Sequence, residues 1–555
     1  MSCLRFQGGR ASLAAALVAV MLAATAPVAS AQAKVLGHPA GKTEPTPAQA
    51  PVKTKKPGKT EAPGAPQKPV HTGLENLEKQ VQTFTLANGL RFIVVERHQA
   101  PVFSFFTVVN AGSADDQIGT TGLAHMMEHM AFKGTTIVGT NDWADEKPAL
   151  TIEDRDYAAL LDEQRKGLKA DSTRLAALIQ SFKDAQTASA KYVVTNESTR
   201  LIEQAGGQGI NAFTANDITA YFYSLPSNRL EFWAAMHAGT FADPVFREFY
   251  KERDVVYEER RMRTESSPFG RLIQEFTNIA YVAHPYGFGG IGFPSDLHTF
   301  SREDGERFFR DHYVAKNMVI ALVGDVKLDE AKRIAEKYFG RLSDAPAPPP
   351  VDTVEPEQKA ERRVTLEESS QPTILIGWHI PAASDPTYAA YKALADLLGG
   401  GDYARLNKVL VKERKVATQV QVFTGYPGEK YPGLLGMVVV PASGQDPLEV
   451  EKQVYALMDS IATRHPFTAE ELAGYQTRIK AQKIGAAGDN SSLASELAQA
   501  EVIYGGWREF FREQERIQSL TPAQVMAAMK RSCTRSNRTV GMIVNPPTAA
   551  HEEGR

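Results

Sequence analysis

The sequence predicts an α+β protein built as two related halves, and three observations carry that prediction. The chain has 555 residues, more than one hydrophobic core usually holds. Strand-like apolar runs bounded by turn residues alternate with helical patterns along it. After a proline-rich stretch the order strand, turn, apolar helix starts again, which reads as a weak internal repeat. Hydrophobic content of 43% and charged content of 23% are ordinary for a globular protein, and a net charge of −3 gives no footprint for nucleic acid.

Residues 1–31 read as a secretory signal peptide. Arg5 and Arg10 precede an Ala/Leu/Val-rich core that ends in Ala29-Ser30-Ala31, a small-x-small cleavage site. That core is short and weakly hydrophobic for a stable membrane span, so a periplasmic or secreted mature chain is expected. Residues 32–75 are dominated by Pro, Lys, Ala, Gly and Thr and bury too little to offset ordering entropy, so they read as a disordered linker. Of the two cysteines, Cys3 falls in the signal and Cys533 stands alone. An internal disulfide and a cysteine-based zinc site are thereby excluded from the mature chain.

The first half is expected over residues 76–343. Residues 84–95 read as two strands around Asn88-Gly89, residues 102–110 as a buried strand, and residues 111–116 as a turn. There follows Gly122-Leu-Ala-His125-Met-Met-Glu128-His129-Met-Ala-Phe132-Lys-Gly134-Thr135. On a helix His125 and His129 lie about 40° apart, with Glu128 about 60° to the other side of His125, so all three share a face. Two imidazoles one turn apart suit a single Zn²⁺, and a carboxylate beside them suits proton transfer from a water there. The order reverses His-Glu-x-x-His and matches the inverted zinc-peptidase motif.

Residues 153–191 carry Leu, Ala, Lys, Glu and Gln at helical spacing, which predicts two charged amphipathic helices. Glycines at 206–209 then lead into a strand, Asn211-Ala-Phe-Thr214, and a second apolar strand ending at Pro226. An open strand edge there would pair with an extended peptide. A further helix is predicted over 246–263. On it Glu252 and Glu259, seven residues apart, fall about 20° from coincident, with Val255 between them and Glu258 about 100° from Glu259. One metal ligand and one carboxylate that orients an imidazole would fit that face; a charged surface helix is the plain alternative.

These blocks together resemble the pitrilysin/insulinase family of inverted-motif zinc peptidases, closest in style to processing-peptidase-like bacterial members. The blocks are 122–135, 206–226 and 252–259, with Asn317-Met-Val-Ile-Ala-Leu-Val-Gly324 similar to the last strand of that family's first domain. The resemblance implies two related domains, each a mostly antiparallel sheet packed with helices, forming a clamshell-like chamber. It implies one Zn²⁺ per chain held by His125, His129 and Glu259, Glu128 as general base, and Glu252 beside the ligands. It also implies that Asn211, Ala212 and Phe213 form the edge that holds the substrate backbone. The separation of His129 from Glu259 is longer than the family pattern, and the extra length coincides with the helical insertion at 153–191.

Residues 344–361 read as a linker, 362–547 as a second, related domain and 548–555 as a tail. Residues 373–381 predict a strand, and 388–398 an apolar helix closed by Gly399-Gly-Gly401. Aligned on the first half, His125 falls near Tyr391, Glu128 near Leu394 and His129 near Ala395, so the repeat lacks the ligands. Active members of the family carry an Arg and a Tyr seven apart in this half. Here those positions are Val411 and Thr418, with Arg414, Tyr403 and Tyr426 as nearby substitutes. By analogy with heterodimeric members, a homologous partner subunit supplying that pair, or a homo-oligomer, is expected. The predicted activity is that of an exported zinc endopeptidase acting on peptides or small unfolded proteins. The alternative is a zinc-binding, non-catalytic assembly or peptide-binding subunit.

Overall fold

The computed structural model describes residues 73–546. The expected signal peptide, most of the 32–75 linker and the tail lie outside them. Helix α1 (Gly73–Glu78) begins inside the stretch read as disordered. Leu74 and Leu77 are buried in an apolar cluster, and that contact supplies what the composition of the linker lacked.

The first sheet comprises β1 (Val81–Thr85), β2 (Arg91–Glu96), β3 (Val102–Val109), β4 (Gln208–Thr214), β5 (Thr219–Pro226) and β6 (Met318–Gly324). Its order is β1-β2-β6-β3-β5-β4, with β2 and β6 parallel and the other pairs antiparallel. Strands β3 and β6 are covered on both faces, which is why they read as unbroken apolar runs. Strand β4 is an edge.

The helices of this half are α2 (Leu123–Met130), α3 (Trp143–Gln164), α4 (Ser172–Ser189), α5 (Glu197–Gln204) and α6 (Leu230–Ala242). They continue with α7 (Phe249–Arg260), α8 (Pro268–Ala280), α9 (Pro294–Thr299), α10 (Arg302–His312) and α11 (Leu328–Phe339). The insertion is an α3–α4 hairpin that starts earlier than the sequence reading placed it. Asp142 caps α3 by accepting from the Ala144 and Asp145 N–H groups, eleven residues before the charged pattern becomes regular at 153. Two buried arginines staple the hairpin down. Arg302 donates to Glu153 (2.7 Å) and Asp154 (2.9 Å). Arg247 pairs with Glu146 (2.7 Å) and also donates to the carbonyls of Lys133, Thr135 and Val138, just beyond α2.

The second sheet comprises β7 (Arg362–Glu367), β8 (Thr373–His379), β9 (Ala417–Tyr426), β10 (Leu434–Pro441) and β11 (Arg538–Val544), in the order β7-β11-β8-β10-β9. Its helices are α12 (Tyr388–Gly399), α13 (Pro447–Thr463), α14 (Ala469–Gly488), α15 (Asn490–Ile503), α16 (Glu509–Gln518) and α17 (Pro522–Ser532). Without β1, the first sheet has the same order, including one parallel pair at the same place, β2/β6 against β7/β11. The fold is thus the expected α+β pair of related, mostly antiparallel sheets packed with helices, of the clamshell-like class.

The halves are interlocked by an exchange of helices. Helix α15, from the second half, covers β3 and β6, where Leu493, Ala494 and Leu497 pack with Phe106, Val319 and Val323. Helix α8, from the first half, covers β11, β7 and part of β8, where Leu272 and Phe276 pack with Leu375 and Ile543. The proline-rich connection is strapped down as well. The Glu355 carboxylate accepts from the N–H groups of Val282, Ala283 and His284 at 3.0–3.1 Å.

Candidate metal centre

Helix α2 is fixed at its start before it presents anything. The buried Asp116 carboxylate accepts from the N–H groups of Gly122 (2.7 Å) and Ala124 (2.9 Å), meeting the positive end of the helix. Asp296 accepts in the same way from Gly119 and Thr121. Gly122 has φ +97°, and a Cβ there would lie 2.5 Å from the Ile291 carbonyl oxygen, so a side chain is excluded. Leu123, Met126, Met127 and Met130 anchor the other faces of α2 in the core, and His125, Glu128 and His129 are left facing α7 and β4.

His125 and His129 stand with ring centroids 4.8 Å apart and ring planes at 81°. Their Nε2 atoms face the Glu259 carboxylate on α7 at 3.8 and 3.6 Å. These separations are too long for hydrogen bonds. They suit a shared ion, since ligands at about 2.0–2.1 Å from tetrahedral Zn²⁺ lie roughly 3.3–3.5 Å from one another. The three donor atoms fall within 4.8 Å of one another, and among the described residues Nδ1 of buried His125 has no hydrogen-bond partner. Nδ1 of His129 donates to Glu252 at 2.9 Å, which turns its Nε2 toward Glu259.

The electrostatics agree with a cation site. Burial pushes His125 down to about 4, so it is a neutral donor at ordinary pH. At His129 burial opposes the charge, but the hydrogen bond to Glu252 and the nearby Glu259 carboxylate outweigh it and push the imidazole up to about 9. Burial likewise opposes ionisation of Glu252 and Glu259. Each is nevertheless held at about 2, Glu252 by His129 and Lys133, and Glu259 by His129, His125 and Arg263. Two borderline nitrogens and one carboxylate in such a field fit Zn²⁺.

Glu128 points the other way, toward β4. Thr214 Oγ1 donates to its Oε2 at 2.8 Å. Burial raises the Glu128 carboxyl above its ordinary range, against the pull of Thr214 and His129. Glu128 and His129 open onto a cleft of about 1030 Å³. The edge strand β4, residues 193–197 at the exit of the insertion, and Glu248 form its other walls. Asn211 and Ala212 line the cleft, with the Asn211 side chain accepting from the Ala212 N–H at 2.9 Å. The ring of Phe213 lies near Phe106 and Phe222, in the cluster that α15 covers, and Phe213 is not among the residues lining the cleft.

The expected cluster of His125, Glu128, His129, Glu252 and Glu259 is therefore brought together. Val255 differs from a packed residue framing the two carboxylates, being 47% exposed. Its stripe of α7 overlooks open space, while Phe249, Arg253 and Val256 face the core. Glu258 turns outward to Arg261 at 2.8 Å. Three contributors were missed by sequence reasoning. Lys133 salt-bridges Glu252 at 2.5 Å, Thr214 holds Glu128, and Arg263 contacts Glu259 Oε1 at 2.7 Å. Lys133 lies one helical turn beyond His129, a signal that was available. Arg263 lies four residues beyond Glu259, on a π-helical turn (Arg261–Glu265), so the same spacing signal was available for it. The substitutes named for the missing Arg/Tyr pair are engaged elsewhere. Tyr426 bonds Thr277, Arg414 bonds Gln453, and Tyr403 is exposed beneath Lys412.

Comparison with known proteins gives one consistent picture. Residues 91–147 match the family described as Insulinase (Peptidase family M16), and residues 299–479 match Peptidase M16 inactive domain. The chain is 29% identical over 345 residues to Zinc protease PqqE of Helicobacter pylori, an alignment covering 61% of this chain and 65% of that relative. It is 23% identical over 449 residues to the probable mitochondrial-processing peptidase subunit beta of Arabidopsis thaliana, covering 77% of this chain and 71% of the relative. Among solved structures, a protease from Helicobacter pylori superposes with a TM-score of 0.70 at 24% identity, covering 84% of this chain and 99% of that one. The first half of the periplasmic protease PqqL from Escherichia coli superposes with a TM-score of 0.62 at 17% identity, covering 84% and 92%.

Proposed function

The chain belongs to the M16 (insulinase) peptidase family, and from that premise we propose that it is an exported zinc-dependent endopeptidase acting on peptides or small unfolded proteins. The observation that carries the proposal is the cluster itself. His125, His129 and Glu259 converge, and Glu128 stands beside them at the mouth of a cleft walled by an edge strand. In this reading His125, His129 and Glu259 hold one Zn²⁺, and Glu252 orients His129. When bound, the ion would supply Lewis acidity and lower the pKa of a water toward about 7. Glu128, desolvated and steered by Thr214, takes the proton of the attacking water and delivers it to the leaving amine. The backbone of Asn211, Ala212 and Phe213 pairs with an extended substrate as an added strand. Docking there first swings the Asn211 side chain off the Ala212 N–H.

Export is supported by the signal-like residues 1–31 and by a relative described as a periplasmic protease. No helix among the described residues is long and apolar enough to cross a membrane. A homologous partner subunit completes the site by bringing an Arg/Tyr pair, since Val411 and Thr418 occupy those positions here and a second copy of this chain would lack the pair as well. A second reading, a zinc-binding subunit without its own catalysis, is favoured by that same gap.

Glu128→Gln in the full chain, assayed alone and with a co-expressed family member, tests the mechanism. Peptide cleavage is expected to fall by about 10³-fold or more with zinc content unchanged, because the proton acceptor is lost. Undiminished cleavage at full zinc occupancy would overturn it. Absence of cleavage by the wild-type chain in every pairing would favour the second reading.

A further inference from the structure

The turn joining β4 to β5 links Glu128 to the second half of the chain. It lies between Thr214, the donor to Glu128, and Thr219, the first residue of β5. On one side the loop that precedes α2 grips it. The Ser113 and Ala114 N–H groups donate to the Ala215 and Asn216 carbonyls at 3.1 and 2.9 Å. On the other side stands Asp217, buried across from residues 427–433 of the second half. Asp217 Oδ2 accepts from the N–H groups of Glu429 (2.8 Å) and Lys430 (3.1 Å), and Oδ1 accepts from the Tyr286 hydroxyl (2.5 Å).

The second-half loop is itself fixed. The Glu429 side chain accepts from the hydroxyls of Tyr388 (3.0 Å) and Tyr504 (2.5 Å), and Lys430 Nζ donates to Asn110 Oδ1 at 2.7 Å. Gly428 packs so closely that a Cβ would collide with Tyr286 Oη and Asp217 Oδ2. A carboxylate with three donors, in a site with no room for one extra carbon, is a specific joint.

We propose that Asp217 is a positioning residue that makes residues 427–433 of the second half a structural part of the first half's site, holding Thr214 so that Glu128 keeps its aim. The inference rests on the role proposed above for Glu128. It assigns the metal-free half a task in the same chain, distinct from anything a partner subunit brings.

The test uses the full chain, with its partner if one is needed for cleavage, and three variants: Asp217→Ala, Asp217→Asn and Gly428→Ala. The last leaves every first-half residue in place and covers the case in which D217A fails to fold. D217A and G428A are expected to lower kcat by about ten-fold or more, with KM within about two-fold and zinc content unchanged, because misplacement of a catalytic group acts on kcat. D217N is expected to recover part of the loss, since its amide oxygen still accepts from the Glu429 and Lys430 N–H groups. Hydrogen exchange of residues 211–218 is expected to quicken in D217A and G428A. An unchanged kcat in folded variants overturns the proposal, as does a parallel loss of zinc, KM and kcat. If the wild-type chain cleaves nothing with any partner, the peptidase reading falls on its own, and unchanged exchange at 211–218 overturns the latch independently.

Discussion

Two helix pairs occupy equivalent places in the two halves, and their contents differ. In each half a helix follows the first strand of the central antiparallel pair, α2 after β3 and α12 after β8. In each, a second helix leads into the exchanged one, α7 before α8 and α14 before α15. Between α2 and α7 lie Glu128, Glu252 and Glu259 with two fixed cations, Lys133 and Arg263, and two imidazoles. Along α12 the corresponding positions are Tyr391, Leu394 and Ala395, all buried, with the Tyr391 hydroxyl on Ser532 at 2.7 Å. The charged groups next to them are partnered from within: Glu513 is bound by Lys392 and, at 2.7 Å, by Lys483. The scaffold is shared, and the balance of buried charge separates the halves. One gathers three carboxylates against two cations beside a pair of imidazoles, and the other sets a single carboxylate between two ammonium groups.

The most direct way to break the comparison is to write the second half's residues into the first. The triple variant His125→Tyr, Glu128→Leu, His129→Ala is expected to fold and to retain only background zinc by elemental analysis. Stoichiometric zinc in it would refute the assigned ligands. The converse attack is on the second half. Glu513→Leu strands one buried and one partly buried ammonium group and is expected to cost about 3 kcal/mol, read as a lowered urea midpoint, without changing zinc content in protein that remains folded. A midpoint within error of wild type would mean that the lysines are not balanced there as described. The smallest and most informative change is Glu252→Gln, which keeps the shape and weakens the acceptor for His129. Zinc affinity is expected to fall by about 10–100-fold in a chelator competition, with Glu128 untouched. No change in affinity would reduce Glu252 to a salt bridge for Lys133.

Much of the first half of this comparison was legible in the sequence, because helical phase is a local property. His125, Glu128 and His129 share a face through spacing alone, and Glu252 and Glu259 do so by the same rule. The strands around Asn88-Gly89 and the buried run at 102–109 follow from turn chemistry and apolar content. What was hidden depends on pairing across long separations. Strand β7 was missed because its outward alternation, Arg362-Arg-Val-Thr-Leu-Glu, looks like a continuation of the polar linker. Asp217 reads as an ordinary turn residue until the 427–433 loop is set against it. Lys392 and Lys483 look like surface charges on amphipathic helices until Glu513 is placed between them.

The helix exchange bears on how this chain is made. The first sheet is complete in sequence once Gly324 has been synthesised, yet the helix that covers β3 and β6 is residues 490–503. Through the intervening synthesis, Phe106, Val108, Val319 and Val323 have no lid. A topology dominated by such distant contacts folds slowly and leaves its intermediates adhesive. The nascent chain therefore depends on shielding until its last fifth emerges. A first half cut away from the second would keep His125, His129 and Glu259 but leave its sheet uncovered.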